Sequence, residues 1–325
     1  MSVSRERASE AADDSRPDGI PVHGTGIPDH AADVRRVVAV GLPGYRIESV
    51  TLLGAGQDNI AYEVNGELIV RFGRESDPQA RAARIDGEAR LLAAVAEISP
   101  IPVPEPSFVL PEPGCLAYRK VPGLPLLDLP AARRSVHAHS IAATLGHFLG
   151  ALHAVPVERF AGLVEPDHQP TALWHKEATQ IYQSIADEIP RAHRPAVERF
   201  LAAPPPDGGR VPVFSHNDLG IEHVLVEPDS GTVTGIIDWS DAAITDAAYD
   251  FGLIHRDLGP AALDTALRHY GTGDPRTLRT RAVFYAGCTV LEDIAYGLET
   301  GDQRYLDAGR AALTWLHPAT NDRDT

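Results

Sequence analysis

The sequence is short of cysteine, of lysine and of long apolar runs, and each shortage excludes something. Two cysteines, Cys115 and Cys288, are too few for a disulfide framework, and neither sits in a Cys-x-x-Cys pair that could hold zinc. No stretch reaches the roughly 18 uninterrupted apolar residues of a spanning helix, so no membrane association is expected. The opening segment, MSVSRERASEAADD, is polar and charged, unlike an export signal, and a cytoplasmic location is the expectation. Positive charge is scarce too. Lys+Arg 29 against Asp+Glu 45 gives a net −16, which argues against a nucleic-acid binder, since such a protein shows a basic face. Such a field suits a cationic ligand, although an acidic surface kept for solubility explains the same count. Lysine occurs only at Lys120 and Lys176, so cationic duty in any site falls mainly to arginine.

What is present suffices for a core. Apolar residues make up 43% of 325, a length that suits about two domains at roughly 150 residues each. Residues 1–27, rich in Ser, Asp, Arg, Gly and Pro, read as a flexible tail. Val34, Val37 and Val38 suggest a short helix over 29–40, stopped by Gly41 and Pro43. Strands follow at 49–53, 60–64 and 67–72, the last two joined by Asn65-Gly66, a strong two-residue hairpin signal. A helix is expected over 78–97, with Ala83, Leu91, Leu92 and Val95 on its apolar face around Glu88. The six prolines of 99–114 allow only an extended connection with at most edge strands. CLAYRKV (115–121) reads as a strand, and PGLPLLD (122–128) as a turn leaving it.

Beyond that point the pattern turns helical. Ile141, Leu145, Phe148, Leu149 and Leu152 mark a helix within 135–154; others are expected at 171–187, 191–202 and through 246–316. One hairpin interrupts them: HVLVE (223–227), a turn at 228–231, then TVTGIIDW (232–239). The expected organisation is therefore a small β-rich lobe, 28–120, and a larger helical lobe, 121–325. His137, His139, His147 and His153 read as packing or surface residues rather than as metal ligands.

The chemistry-bearing signal is His216-Asn217-Asp218-Leu219, then His223, then Asp238-Trp239 at the far end of the hairpin. A loop carries Asp218 and His223 five residues apart, and the returning hairpin can bring Asp238 close to His223. Phosphoryl transfer needs such a set: a carboxylate to accept a hydroxyl proton, and ligands for a metal bridging the phosphates. GAGQDN (54–59) lies between two expected strands, where the backbone N–H groups near Gly54 and Gly56 can cover phosphates. Glycines between strands also serve ordinary turns.

The segment HNDLGIEHVLV…TGIIDWSDAAITDAAYDF resembles the catalytic segment of the aminoglycoside phosphotransferase family, relatives of protein kinases. With the lobe order, the resemblance spans roughly residues 45–310. In motif it is nearest the aminoglycoside 2''-phosphotransferase branch, where an HxD loop also ends in His; macrolide kinases come next. The resemblance implies an α+β, protein-kinase-like bilobal fold and transfer of the γ-phosphoryl of ATP or GTP, with Mg²⁺, to a small-molecule hydroxyl. It makes Asp218 the catalytic base and Asp238 a metal ligand, and puts His223 where most kinases carry a metal-binding Asn. Magnesium prefers oxygen ligands, which makes the histidine a departure. Arg71 stands where the family usually has lysine, with Glu88 as its ion-pair partner; Arg keeps the charge but not the reach. Backbone groups from Tyr118 to Val121 would meet the purine. Asp246 and Asp250 match positions that look architectural.

For the acceptor, Glu292, Tyr296 and Glu299 share a helical face, with Asp293 adjacent. Together with Asp241 they would form an acidic pocket for a cationic antibiotic; a solvated helix face accounts for the same residues. The expected partner is thus a small molecule, with no nucleic acid and no membrane, and the protein a monomer. Two rivals stay open: a macrolide or other natural-product kinase with an apolar pocket, and a catalytically silent nucleotide-binding protein.

Overall fold

A computed structural model describes residues 31–56, 59–206, 210 and 212–319. The tail expected at 1–27 and the Gln57-Asp58 step of GAGQDN lie outside the described residues. The chain divides into two compact units, one ending at Ala89 but taking back Glu105–Lys120, the other made of Arg90–Pro104 and Val121 onward.

The first unit holds α1 (Ala31–Gly41), β1 (Val50–Ala55), β2 (Asn59–Val64), β3 (Leu68–Gly73), the start of α2 (Pro78–Ala96), β4 (Pro106–Leu110) and β5 (Cys115–Arg119). The strands form one antiparallel sheet in the order β1-β2-β3-β5-β4. Its register is set at the Asn65-Gly66 turn, where both residues are left-handed (φ 54° and 73°), the twist that a two-residue hairpin needs. The Asn65 side chain also accepts from the Glu48 and Ser49 amides at 2.8 and 3.0 Å, pinning the start of β1. The proline-rich segment supplies only the edge strand β4, because proline cannot donate to a central ladder. Val34, Val37 and Val38 pack against Tyr62, Val70, Phe72 and Cys115. Burial pushes the Cys115 thiol up to about 12. On α2 the buried face runs through Ile85, Leu92 and Val95, whereas Ala83 is exposed: the apolar stripe begins at Ile85.

The second unit holds β6 (Leu124–Pro125), α3 (Ala131–His153), α4 (Thr171–Ile185), α5 (Arg194–Ala202), β7 (Pro212–Ser215), β8 (Val224–Val226), β9 (Val233–Ile236), β10 (Ala243–Asp246), α6 (Ala248–Leu258), α7 (Pro260–Tyr270), α8 (Pro275–Thr300) and α9 (Gln303–Leu316). The expected hairpin is β8–β9, and β6 adds a third strand where a plain turn was expected. A second sheet, β7 with β10, has no counterpart in the sequence reading. These four-residue strands frame the segment from His216 to Ala242: β7 ends at Ser215 and β10 begins at Ala243. Helix α3 buries all five expected positions, and Phe148 meets the buried Trp239 ring edge-on at 6.1 Å. Gly146 lets α3 approach α7, since a Cβ there would lie 2.3 Å from the Ala266 carbonyl oxygen. Cys288 is buried on α8. Arg281 of α8 grips Asp246 through two hydrogen bonds of 2.8 and 3.1 Å, and both side chains are almost inaccessible to solvent. No helix among the described residues is long and apolar enough to cross a membrane.

Candidate active site

The loop after β7 carries the site, and backbone strain marks it. Asn217 (φ 62°) and Asp238 (φ 59°) are left-handed without being glycine, a conformation that persists only where surroundings impose it. Asp250, in the first turn of α6 and fully buried, supplies that constraint at Asn217. Its carboxylate accepts from Ser215 Oγ at 2.5 Å and from the Asn217 and Leu219 amides at 3.1 and 3.3 Å, gripping the chain on both sides of Asp218. Asp257 takes a further amide of the loop, Ile221, at 3.1 Å. The Asn217 side chain donates to the Asp241 carbonyl at 3.1 Å, tying the loop to the segment beyond Asp238. Asp246, in contrast, braces α8 rather than the loop.

Asp218, His223 and Asp238 converge. His223 Nδ1 donates to the Asp218 backbone carbonyl at 2.8 Å and lies 3.4 Å from Asp218 Oδ2. Its Nε2 is 3.8 Å from Asp238 Oδ2. With the Nδ1 hydrogen committed, a neutral ring turns the Nε2 lone pair toward Asp238, the arrangement in which an imidazole can share a cation with a carboxylate. Burial lifts the Asp218 carboxyl to about 7, against the pull of His223 and helped by Glu222 and Asp241. Its Oδ2 is buried without a hydrogen-bond partner. Burial resists charging His223, but Asp218, Glu222 and Asp238 outweigh it and raise its pKa.

Glu222 is the residue that sequence reasoning missed. Ligand atoms of Asp218, Glu222 and His223 all lie within 4.8 Å of one another, and Glu222 Oε2 is also buried and unpartnered. Burial works against the Glu222 charge, yet His223 and Arg256 hold its carboxyl below the usual range. Gly220 makes room for it: a Cβ there would sit 2.3 Å from Oε2. That glycine two residues ahead was the available signal.

In the first unit, Arg71 and Glu88 form the expected ion pair, Nη1 to Oε1 at 2.5 Å, with each side chain 13% exposed. Gly54 lies at an irregularity in the β1–β2 pairing. The Gly56 amide donates to the Asn59 carbonyl at 2.9 Å, and its carbonyl accepts from Arg74 at 2.6 Å, so an arginine not marked in the sequence closes the glycine loop. Tyr118 sits on β5 opposite Ile69, and Val121, buried, opens the second unit.

The acidic stretch of α8 splits. Asp293 accepts from Arg256 at 3.0 Å, and Arg256 is held from its other edge by Asp257. Burial, with the carboxylates of Asp257, Glu222 and Glu292, raises the Asp293 carboxyl against the attraction of Arg256. Glu292 is half-buried and Glu299 exposed. Asp293 is thereby engaged inside the protein, while Glu299 is open to solvent.

The pattern of the phosphotransferase enzyme family matches residues 49–282, which includes the glycine loop, Arg71, Glu88 and the whole stretch from His216 to Asp238. The chain belongs to that family. Within the phosphotransferase enzyme family it is similar to a viomycin phosphotransferase from Streptomyces vinaceus, 28% identical over 254 residues, 76% of this chain and 86% of the relative. Among solved structures it resembles the GDP and kanamycin complex of the aminoglycoside enzyme APH(2'')-IIIa, with TM-score 0.61 and 23% identity over 86% of this chain and 97% of that one. It also resembles macrolide 2'-phosphotransferase MphH from Brachybacterium faecium, with TM-score 0.59 and 26% identity over 88% and 98%. The fold is the kinase-like one expected from the sequence, with an antiparallel β-sheet unit followed by a helical one.

Proposed function

We propose that the protein transfers the γ-phosphoryl group of ATP or GTP to a hydroxyl of a small-molecule antibiotic, and that the acceptor is cationic, of the aminoglycoside type. One observation carries the reading: Asp218, a carboxylate with one buried, unpartnered oxygen and a proton affinity near neutrality, gripped on both sides by Asp250 beside His223 and Asp238. Such a group can take the proton of an acceptor hydroxyl at ordinary pH. Asp238 and His223 are the residues that would hold Mg²⁺. The set fits a divalent cation, since unpartnered buried oxygens of Asp218 and Glu222 lie beside an imidazole whose Nε2 faces Asp238. When bound, the ion supplies neutralisation of the phosphate charge. Arg71, stiffened by Glu88, would align the α- and β-phosphates, with the loop at Gly54 lying over them and the backbone of Tyr118–Val121 meeting the base; the Gly56 amide, spent on Asn59, shapes that loop rather than binding phosphate.

For the acceptor, the net −16 and the carboxylates Asp241, Glu292 and Glu299 support an ammonium-bearing molecule; Asp293 enters this reading as the brace on Arg256. Relatives named for viomycin and for kanamycin binding point the same way. The likeness to a macrolide enzyme supports a second reading, an acceptor held mainly by apolar contact.

The test is phosphoryl transfer from ATP and GTP to viomycin, kanamycin and a macrolide, with Glu292→Gln and Glu299→Gln beside the wild type. A cationic acceptor predicts a KM that rises with salt and rises again in both variants, by roughly tenfold per lost charge-assisted hydrogen bond, while the nucleotide KM holds. Turnover of the macrolide with flat salt dependence and unchanged variants would transfer the assignment to the apolar acceptor.

A further inference from the structure

Behind the catalytic loop runs a line of buried polar groups that the proposed chemistry does not use. Ser215, the last residue of β7, has one hydroxyl hydrogen, and it goes to Asp250 Oδ2 at 2.5 Å. The same Ser215 oxygen lies 3.0 Å from His153 Nε2. Since the serine hydrogen is already spent on the carboxylate, the oxygen must accept here, and Nε2 must carry the hydrogen. A neutral imidazole has only one. Its Nδ1 is then a lone pair, and 3.0 Å away stands the Tyr270 hydroxyl, which must donate to it. Thr272 also hydrogen-bonds to that phenol. Every donor in the row faces one way, from Tyr270 through His153 and Ser215 to Asp250.

We infer that His153 is a positioning residue for the catalytic loop: by fixing the Ser215 hydroxyl it holds the Asp250 carboxylate in the one orientation that grips the amides flanking Asp218. The inference rests on the reading of Asp218 as the catalytic group. It follows from how Asp250 shares its oxygens. Oδ2 serves both Ser215 and the Asn217 amide, and Oδ1 serves Leu219. If Ser215 turns, Oδ2 has reason to follow it, and the left-handed Asn217 next to Asp218 loses its anchor. His153 prevents that turn, because its N–H occupies the serine lone pair and leaves the serine hydrogen facing Asp250. The ring must be neutral to do so, and burial, which pushes its pKa down to about 3, keeps it neutral. Location supports the role. His153 is the last residue of α3 and Tyr270 the last of α7, so the ends of two tightly packed helices meet behind the loop. The rings stand edge to face at 5.4 Å, which restricts either from rotating alone.

Three measurements test this. In the wild-type protein, ¹⁵N–¹H correlation of the side chain should find the His153 hydrogen on Nε2; a hydrogen on Nδ1 overturns the inference outright, whatever any variant does. In folded His153→Phe, the Asn217 and Leu219 amides should exchange with solvent about tenfold faster, and kcat for the best acceptor in the panel above should fall about ten- to hundredfold with the nucleotide KM within about twofold. His153→Gln, whose amide can donate to Ser215 and accept from Tyr270, should restore most of that loss. Ser215→Ala should cost a similar factor, and adding His153→Phe to it should cost nothing further, because the histidine acts through the serine. Losses that multiply in the double variant, or a folded His153→Phe with wild-type exchange and kcat, refute the role. Tautomer and amide exchange do not involve phosphoryl transfer, so the inference and the proposed function can fail separately.

Discussion

Replacing Asp218 by asparagine should make the protein more stable while removing its turnover. The carboxylate is poorly housed for a charge: its side chain is 21% exposed and one oxygen is buried without a partner. Burial lifts its pKa to about 7, against about 3.9 for an ordinary aspartate. Between those values the folded protein holds a proton that the unfolded chain has released. Stability from this group is therefore full below pH about 4, falls as pH rises through the window, and levels off above pH about 7. A shift near three units, already net of the attraction to His223, corresponds to about 4 kcal/mol, and solvent at the 21% exposed side chain makes that a ceiling. The amide that Asp218→Asn introduces carries no charge at any pH. Urea unfolding in chelator, without nucleotide, should show Asp218→Asn more stable by about 2–4 kcal/mol at pH 8, with the advantage shrinking toward zero near pH 4. Turnover should drop by about 10²–10⁴-fold. An asparagine variant no more stable than wild type at pH 8, or an advantage that ignores pH, would refute the burial argument.

Asp238→Asn should weaken Mg²⁺-dependent nucleotide binding more than His223→Asn does, because a carboxylate is the better magnesium ligand; calorimetric titration in the opposite order reverses the ranking. Arg71→Ala should raise the nucleotide KM by about tenfold or more and leave the acceptor KM alone, with Glu88→Gln doing the same more weakly; an unchanged nucleotide KM removes Arg71 from the site. Asp246→Ala strands the buried Arg281 guanidinium, at a cost of about 3–5 kcal/mol in urea unfolding. A loss below about 1 kcal/mol would show that the arginine finds water or another partner.

Local rules carried the sequence reading a long way. Asn65-Gly66 placed a hairpin because two left-handed residues in a row suit little else, and the proline run admitted only an edge strand. Spacing brought Asp218, His223 and Asp238 together because a hairpin returns the chain to its start. What stayed hidden depends on partners distant in sequence. Strands β7 and β10 are too short to show alternation, and their partners, each other and the Pro166 segment that bridges Ile244, lie far along the chain. Asp246 and Asp293 look like their acidic neighbours until Arg281 and Arg256, 35 and 37 residues away, claim them. Glu222 was hidden differently: adjacent to His223, it gained meaning only once its carboxylate was seen folded over Gly220. His153, grouped by spacing with three other histidines on α3, is set apart by Ser215 and Tyr270, which the spacing could not show.

The two cysteines offer a final use. Cys115 lies in the β-sheet unit and Cys288 in the helical one, both buried, and burial makes the Cys115 thiol a weaker acid than a free cysteine. A thiol reagent in solution can reach either only when the surrounding packing opens. The chain thus carries one natural reporter in each unit. Pulse alkylation followed by peptide mass analysis reads the opening of the sheet and of the helical unit side by side, in the unmodified protein, and nucleotide or antibiotic added to the same pulse reveals which unit each ligand clamps.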